Sequence, residues 1–154
     1  MSAPLPEANP RAGAPAPLAD LLWKLSEIER RLTRGLTDAL TEANVTLDQW
    51  RVLEAIISLD SPTMGELAET TGLANASLSR IVDSLEDTAA AFRLPSATDR
   101  RRITVHLSDR GAQRLAQVRE IVAGWERATE RRLGPDAAFA LLDAASSVAR
   151  ALEN

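Results

Sequence analysis

Cysteine and tyrosine are absent from the 154 residues, and only one histidine, His106, is present. Without a thiol there is no disulfide, no zinc–thiolate site and no cysteine redox sensor. One imidazole does not build a histidine-rich metal centre. With no glycine-rich phosphate loop either, no acid–base or nucleophile set assembles into an active site, so the expectation is a protein that is not an enzyme and uses no metal or cofactor. Aromatics make up only 3% of the chain. No uninterrupted apolar run approaches the ~18 residues that cross a bilayer. The N-terminus has no charged-then-apolar leader pattern, and the chain therefore reads as cytoplasmic, with no membrane partner. Lysine is scarce too: of 18 basic residues, Lys24 alone is not arginine.

What remains is a chain 45% apolar, mostly aliphatic and alanine, and 26% charged, which suits a helical soluble protein of one domain. The formal charge of −4 argues against a polyanionic partner only on average. The field a partner meets is local, and from Arg93 to Arg102 four arginines face one aspartate. Arginine's planar fork is the better reader of phosphates and base edges.

Residues 1–17 hold five of the eight prolines and show no apolar period, so they read as a disordered arm. Leu18, Leu21, Leu22, Leu25, Ile28, Leu32, Leu36 and Leu40 then recur at helical spacing and predict a first helix over 18–43. A helix that long with an apolar stripe has a partner beyond its own small core. Thr46 with Gln49, and Thr63 with Glu66, have the spacing of capping boxes, opening a second and a third helix. The third stops at Gly72, and a fourth runs from Asn75 to Asp87 with Leu78, Ile81, Val82 and Leu85 on its buried side. Pro95 to Asp99 reads as a turn, and Arg101 to Leu107 alternates polar and apolar as a half-buried strand does. Ser108 caps a fifth helix to Leu133, Gly134-Pro135 breaks it, and a sixth runs over 136–152.

The predicted fold is thus mainly α with a small β-hairpin: a helix-turn-helix over 63–87, a basic wing over 90–107, and long dimerisation helices at 18–43 and 108–152, all within residues 18–154. In a helix-turn-helix the second helix enters the major groove with its N-terminal residues against base edges. Asn75, Ser77, Ser79 and Arg80 hold those positions. A polar helix face is by itself commonly only solvated. The hairpin gives it meaning, because Arg100, Arg101 and Arg102 repel one another unless a polyanion is near. Asp99 is spaced to hold the Arg101 guanidinium extended, and a narrow minor groove attracts such an arginine. Glu86-Asp87 reads as ordinary helix-surface carboxylates and His106 as a strand-surface residue. Trp50 and Trp125 read as packing residues. Trp23 is the candidate wall of a cleft for a small aromatic effector.

Leu47-Asp48-Gln49-Trp50-Arg51-Val52-Leu53, Leu73 through Glu86, and above all Asp99 through Gly111 resemble the MarR, or multiple-antibiotic-resistance regulator, family. The last stretch is similar to its pattern of Asp-x-Arg, alternating apolar residues, Leu-Ser and Gly. The resemblance covers Leu18 to Leu152. It implies a homodimer in which the first, fifth and sixth helices of two chains interleave, with effectors in the cleft between that interface and the DNA-binding lobe. It makes Asp99 the buttress and Arg101 the minor-groove finger, with Arg100 at a variable position. The function implied is a sequence-specific transcriptional regulator on double-stranded DNA, a repressor released from a pseudo-palindromic operator by a small organic molecule. The alternative is a winged-helix module that binds protein and not DNA. Two departures stand out. Ala74 replaces the small polar residue that opens the recognition helix, leaving Asn75 to cap it. Ala89 replaces a frequent glycine, which predicts a first wing strand that is poorly formed or begins late.

Overall fold

The computed structural model describes residues 17–96, 99 and 101–152. The arm read at 1–17 lies outside the described residues apart from Pro17, and Arg100 lies outside them too. In chain order the elements are α1 (Pro17–Thr41), α2 (Leu47–Leu59), α3 (Met64–Thr71), α4 (Asn75–Asp87), β1 (Ala91–Pro95), β2 (Ile103–Leu107), α5 (Asp109–Leu133) and α6 (Pro135–Leu152). The predicted fold class, helices around one small hairpin, is the fold observed. The chain divides after Arg34 into two compact units, and α1 contributes to both.

In the first unit α1 carries i,i+4 ion pairs along its surface, Lys24 with Asp20 at 2.7 Å and Arg31 with Glu27. Leu18, Leu22 and Trp23 on this stretch are exposed, Trp23 at 79%.

In the second unit α1 ends in a closure built from two hydrogen bonds. Asn44 adopts φ 52°, and its N–H reaches the Thr41 carbonyl while the Val45 N–H reaches that of Leu40. This double closure satisfies carbonyls that the last turn leaves open, and it sets Val45 against Leu40. Both are buried, with Val118 and Val122 of α5, and Leu36 and Trp50 pack on the cluster.

Both capping boxes form. Thr46 accepts from the Gln49 N–H and Thr63 from the Glu66 N–H, and each partner side chain answers the cap's own N–H. The main core gathers Val52, Leu53 and Ile56 of α2, Leu67 of α3, Leu78, Val82 and Leu85 of α4, Ala90, Ala91 and Val105 of the wing, and Leu115 of α5. Trp50 bridges both clusters. Trp125 lies against Gly35, where an added Cβ would sit 2.9 Å from its Nε1.

The expectation for β1 is overturned. Ala89 takes the left-handed conformation itself, φ 54°, with its N–H on the Glu86 carbonyl and the Ala90 N–H on that of Leu85. That is again a left-handed helix closure, here at a cost of roughly 1 kcal/mol for the Cβ. β1 then starts at Ala91 and pairs over its full length, from Ala91↔Leu107 to Pro95↔Ile103. The alanine run is a packing device. Ala90 and Ala91 are buried, and α5 approaches so closely that a Cβ on Gly111 would lie 1.9 Å from the Ala90 carbonyl oxygen. Ser108 locks this junction: its Oγ donates to the Ala89 carbonyl and accepts from the Gly111 N–H.

Candidate nucleic-acid interface

α3 and α4 are joined by Gly72, Leu73 and Ala74, with Gly72 at φ 68° ending α3 on the Ala68 carbonyl. Leu78, Val82 and Leu85 anchor α4 to the core, which turns Asn75, Ser77 and Arg80 outward. Ser79 is half-buried. Asn75 does not cap the helix. The capping position is Ala74, extended at φ −63°, ψ 141°, with no side-chain hydrogen bond, and Asn75 is the first helical residue. Where α2, α3 and α5 have a hydroxyl on their first-turn N–H groups, α4 has none.

The three described arginines of the wing have unlike surroundings. Arg93 points back at α4, 2.9 Å from Asp83 and in contact with Glu86, whose other oxygen accepts the Arg93 backbone N–H. Glu86 is therefore not the ordinary surface carboxylate that its neighbours suggest. It fastens β1 to α4 and neutralises part of the basic excess. Arg102 leans toward α3, 3.7 Å from Glu66. The Glu66 carboxyl is held below its ordinary 4.5 chiefly by the Thr63 N–H, then by the Thr63 hydroxyl and Arg102. Arg101 is exposed. The Asp99 carboxylate accepts the Arg101 backbone N–H at 3.0 Å, and the Asp99 carbonyl accepts the Arg102 N–H at 2.9 Å. Asp99 thus buttresses Arg101 through the main chain, where the spacing suggests a bond to the guanidinium.

His106 differs from its expected place on the strand surface. It is half-buried, with Nδ1 3.1 Å from the Ser61 hydroxyl and Nε2 2.9 Å from that of Thr104. No local pattern announces the Glu86–Arg93 or Ser61–His106 bonds, because the partners lie 7 and 45 residues apart.

The MarR family model matches residues 43–102, from the end of α1 to the wing tip. Over these residues the chain is similar to the MarR family. The HTH-type transcriptional regulator FarR of Neisseria gonorrhoeae is 27% identical over 111 residues, covering 72% of this chain and 76% of FarR. Among solved structures, the transcriptional repressor CouR bound to a 23-mer DNA duplex matches with a TM-score of 0.78 at 26% identity, over 86% of this chain and 94% of CouR. Wild-type apo MarR from E. coli, at 24% identity, shares the fold with a TM-score of 0.74 over 88% of this chain and 98% of its own. The chain thus has the fold of MarR-type transcriptional regulators, a winged helix built from α2–α4 and the hairpin.

A cavity of about 430 Å³ opens between the end of α1, the start of α2, the end of α4 and α5. Asn44, Gln49, Ser84, Thr88 and Arg114 give it a polar wall, and no tryptophan lines it. Trp23 belongs to the other unit. No helix among the described residues is long and apolar enough to cross a membrane.

Proposed function

We propose that this protein is a transcriptional regulator of MarR type, a homodimeric repressor that binds a pseudo-palindromic operator through α4 and the wing and leaves it when a small organic effector binds. The observation that carries this reading is the wing tip. Arg93 and Arg102 face carboxylates, whereas Arg101 is exposed on a turn whose main chain Asp99 holds in place. An arginine presented this way suits a minor groove, where negative potential is concentrated. Asn75, Ser77, Ser79 and Arg80 are the proposed major-groove readers, and Arg100 a solvent or phosphate contact. The uncapped first turn of α4 offers free N–H groups to a phosphate.

A two-fold protein with one such helix per chain calls for half-sites about 10 bp apart. CouR supplies a DNA-bound relative and a repressor by name. For the effector, the fold is shared by NadR in complex with 4-hydroxyphenylacetate, at 22% identity. Trp23 is our candidate for an aromatic wall of that cleft.

The test is operator affinity at fixed salt, using a duplex that the wild-type protein selects from a random pool. Arg101→Ala is expected to weaken binding most, by roughly 1–3 kcal/mol per wing. Asp99→Ala should cost less, because Arg101 remains without its fixed turn, and Arg100→Ala least. Wild-type affinity in Arg101→Ala, or the largest loss in Arg100→Ala, sinks the assignment. Binding without the log-linear salt dependence of counterion release would return the winged helix to a protein partner.

A further inference from the structure

We infer that His106 is a positioning residue for the wing: a one-proton relay that sets the hairpin's angle on the helix-turn-helix, and so the reach of Arg101. The inference rests on the DNA-binding reading above.

The relay has a direction that chemistry dictates. The Thr104 hydroxyl lies 2.9 Å from His106 Nε2 and 3.2 Å from the Leu94 carbonyl. A carbonyl only accepts, so the single hydroxyl proton goes to Leu94, and Thr104 Oγ1 must accept from Nε2–H. Neutral imidazole carries one N–H, so Nδ1 is the acceptor, and it takes the Ser61 O–H at 3.1 Å. The chain therefore runs Ser61 O–H to Nδ1, Nε2–H to Thr104, Thr104 O–H to Leu94. It crosses from the α2–α3 connection through β2 to β1. Each donor in it has an acceptor.

The two ends of the relay differ in what they hold. Thr104 and Leu94 face each other in the hairpin's own register, so the Nε2 end stays within the wing. Ser61 is outside it, so of the relay's two ends the Nδ1 end is the one that reaches from the wing to the helix-turn-helix, beside the Arg93–Glu86 and Arg102–Glu66 pairs. The imidazole is held flat for this task by stacking on Phe92, its cross-strand partner, with centroids 5.4 Å apart and planes at 11°. The anchor is also set. Ser61 adopts φ 68° behind Asp60 at φ 49°, two successive left-handed residues that aim the hydroxyl. Beside it the main chain makes only a short seam with β2: the Val105 N–H on the Pro62 carbonyl and a single bridge between Thr63 and Thr104. A seam that short is a hinge, and the Ser61–His106 bond lies beyond its end.

Arg101 stands in the turn beyond the start of β2, and the strand from Ile103 to His106 alone spans about 10 Å. A few degrees of slack at the base therefore moves the tip by about 1 Å, enough to spoil an oriented contact.

The experiment is a double-mutant cycle on operator binding, with the full chain and the selected duplex. His106→Ala and Ser61→Ala are each expected to weaken binding about tenfold, as one neutral hydrogen bond per wing acting twice does. His106→Asn, whose amide oxygen reproduces the Nδ1 acceptor, is expected to recover most of it. His106→Gln, which reproduces the Nε2 donor, is expected not to. In the Arg101→Ala background, His106→Ala should add less than twofold, because the contact it positions is gone. A fully additive tenfold loss in that background overturns the inference, as does equal rescue by Gln and Asn. Those results leave the Arg101 assignment intact, whereas wild-type binding by Arg101→Ala alone removes the minor-groove role of Arg101 on which the inference rests.

Discussion

Helices α4 and α6 are both amphipathic, yet the chain treats them in opposite ways. α4, 13 residues long, puts Leu78, Val82 and Leu85 out of solvent, in a core shared with α2, the wing and α5. α6, 18 residues long, buries none. Phe139 is 73% exposed, Leu142 68% and Leu152 81%. Covering a side chain of this size is worth ~1.5–3 kcal/mol, so a helix that leaves three of them bare has its stabilisation still to come. Under the proposed function, the difference separates residues that hold one chain together from residues kept for the dimer partner.

The largest effect should come from charging the bare helix. Phe139→Arg with Leu142→Arg is expected to abolish the dimer at micromolar concentration and operator binding with it. Sedimentation velocity reads the first and a band shift the second. A double variant that sediments with wild type would make α6 a merely solvated helix and end the comparison.

On the covered side, Gly111→Ala should cost about 3 kcal/mol, near the top of the range for overpacking, since its Cβ would meet the Ala90 carbonyl 1.9 Å away. Urea unfolding measures it; a loss under 0.5 kcal/mol would show that the wing base and α5 yield freely.

A smaller effect lies where α2 meets α5. Arg119 grips Glu54 with two hydrogen bonds, 2.9 and 2.6 Å, and Trp50 Nε1 adds a third at 3.1 Å. Arg119 holds the Glu54 carboxyl below its ordinary 4.5, partial burial opposes it, and Trp50 adds least. A lowered carboxyl contributes stability that is present above the unfolded value and lost as pH falls through the folded one. Glu54→Gln should therefore cost about 1 kcal/mol at pH 7, and the difference from wild type should close as pH drops below 4.5. A gap unchanged across that range would remove the ion pair as its cause.

The smallest expected effect is a gain. Ala89→Gly relieves a left-handed alanine at φ 54°, which should exceed the extra chain entropy and stabilise by about 0.5 kcal/mol. A loss in urea unfolding would mean that the Ala89 methyl contributes more by contact than its conformation costs.

Much of the fold was legible because its signals are short-range. Thr46 with Gln49, Thr63 with Glu66, and Ser108 with Gly111 each close a hydrogen bond within three residues, and each forms as spaced. α4 runs from Asn75 to Asp87 as its period requires. Asn75 has the residue type of a cap, but the backbone gives that position to Ala74. The alanines at 89–91 looked like a weakness in the wing, since composition does not reveal that a helix will pass against them. The wing's charge was overcounted for the same reason: nothing near Arg93 in sequence announces Asp83 and Glu86 across a helix end.

The sequence by itself determined where helices begin and end, which stripe of each is apolar, that one hairpin carries a basic turn, and that thiol chemistry is absent. Those properties depend on residue type and on neighbours a few positions away. Only the tertiary structure decided which arginines are neutralised, which apolar stripe the chain covers for itself, why residue 111 is glycine, and what the lone histidine joins. The Ser61–His106 bond spans 45 residues and the Glu54–Arg119 pair 65. Contacts at that separation follow from how the helices pack, and packing is a property of the whole chain at once.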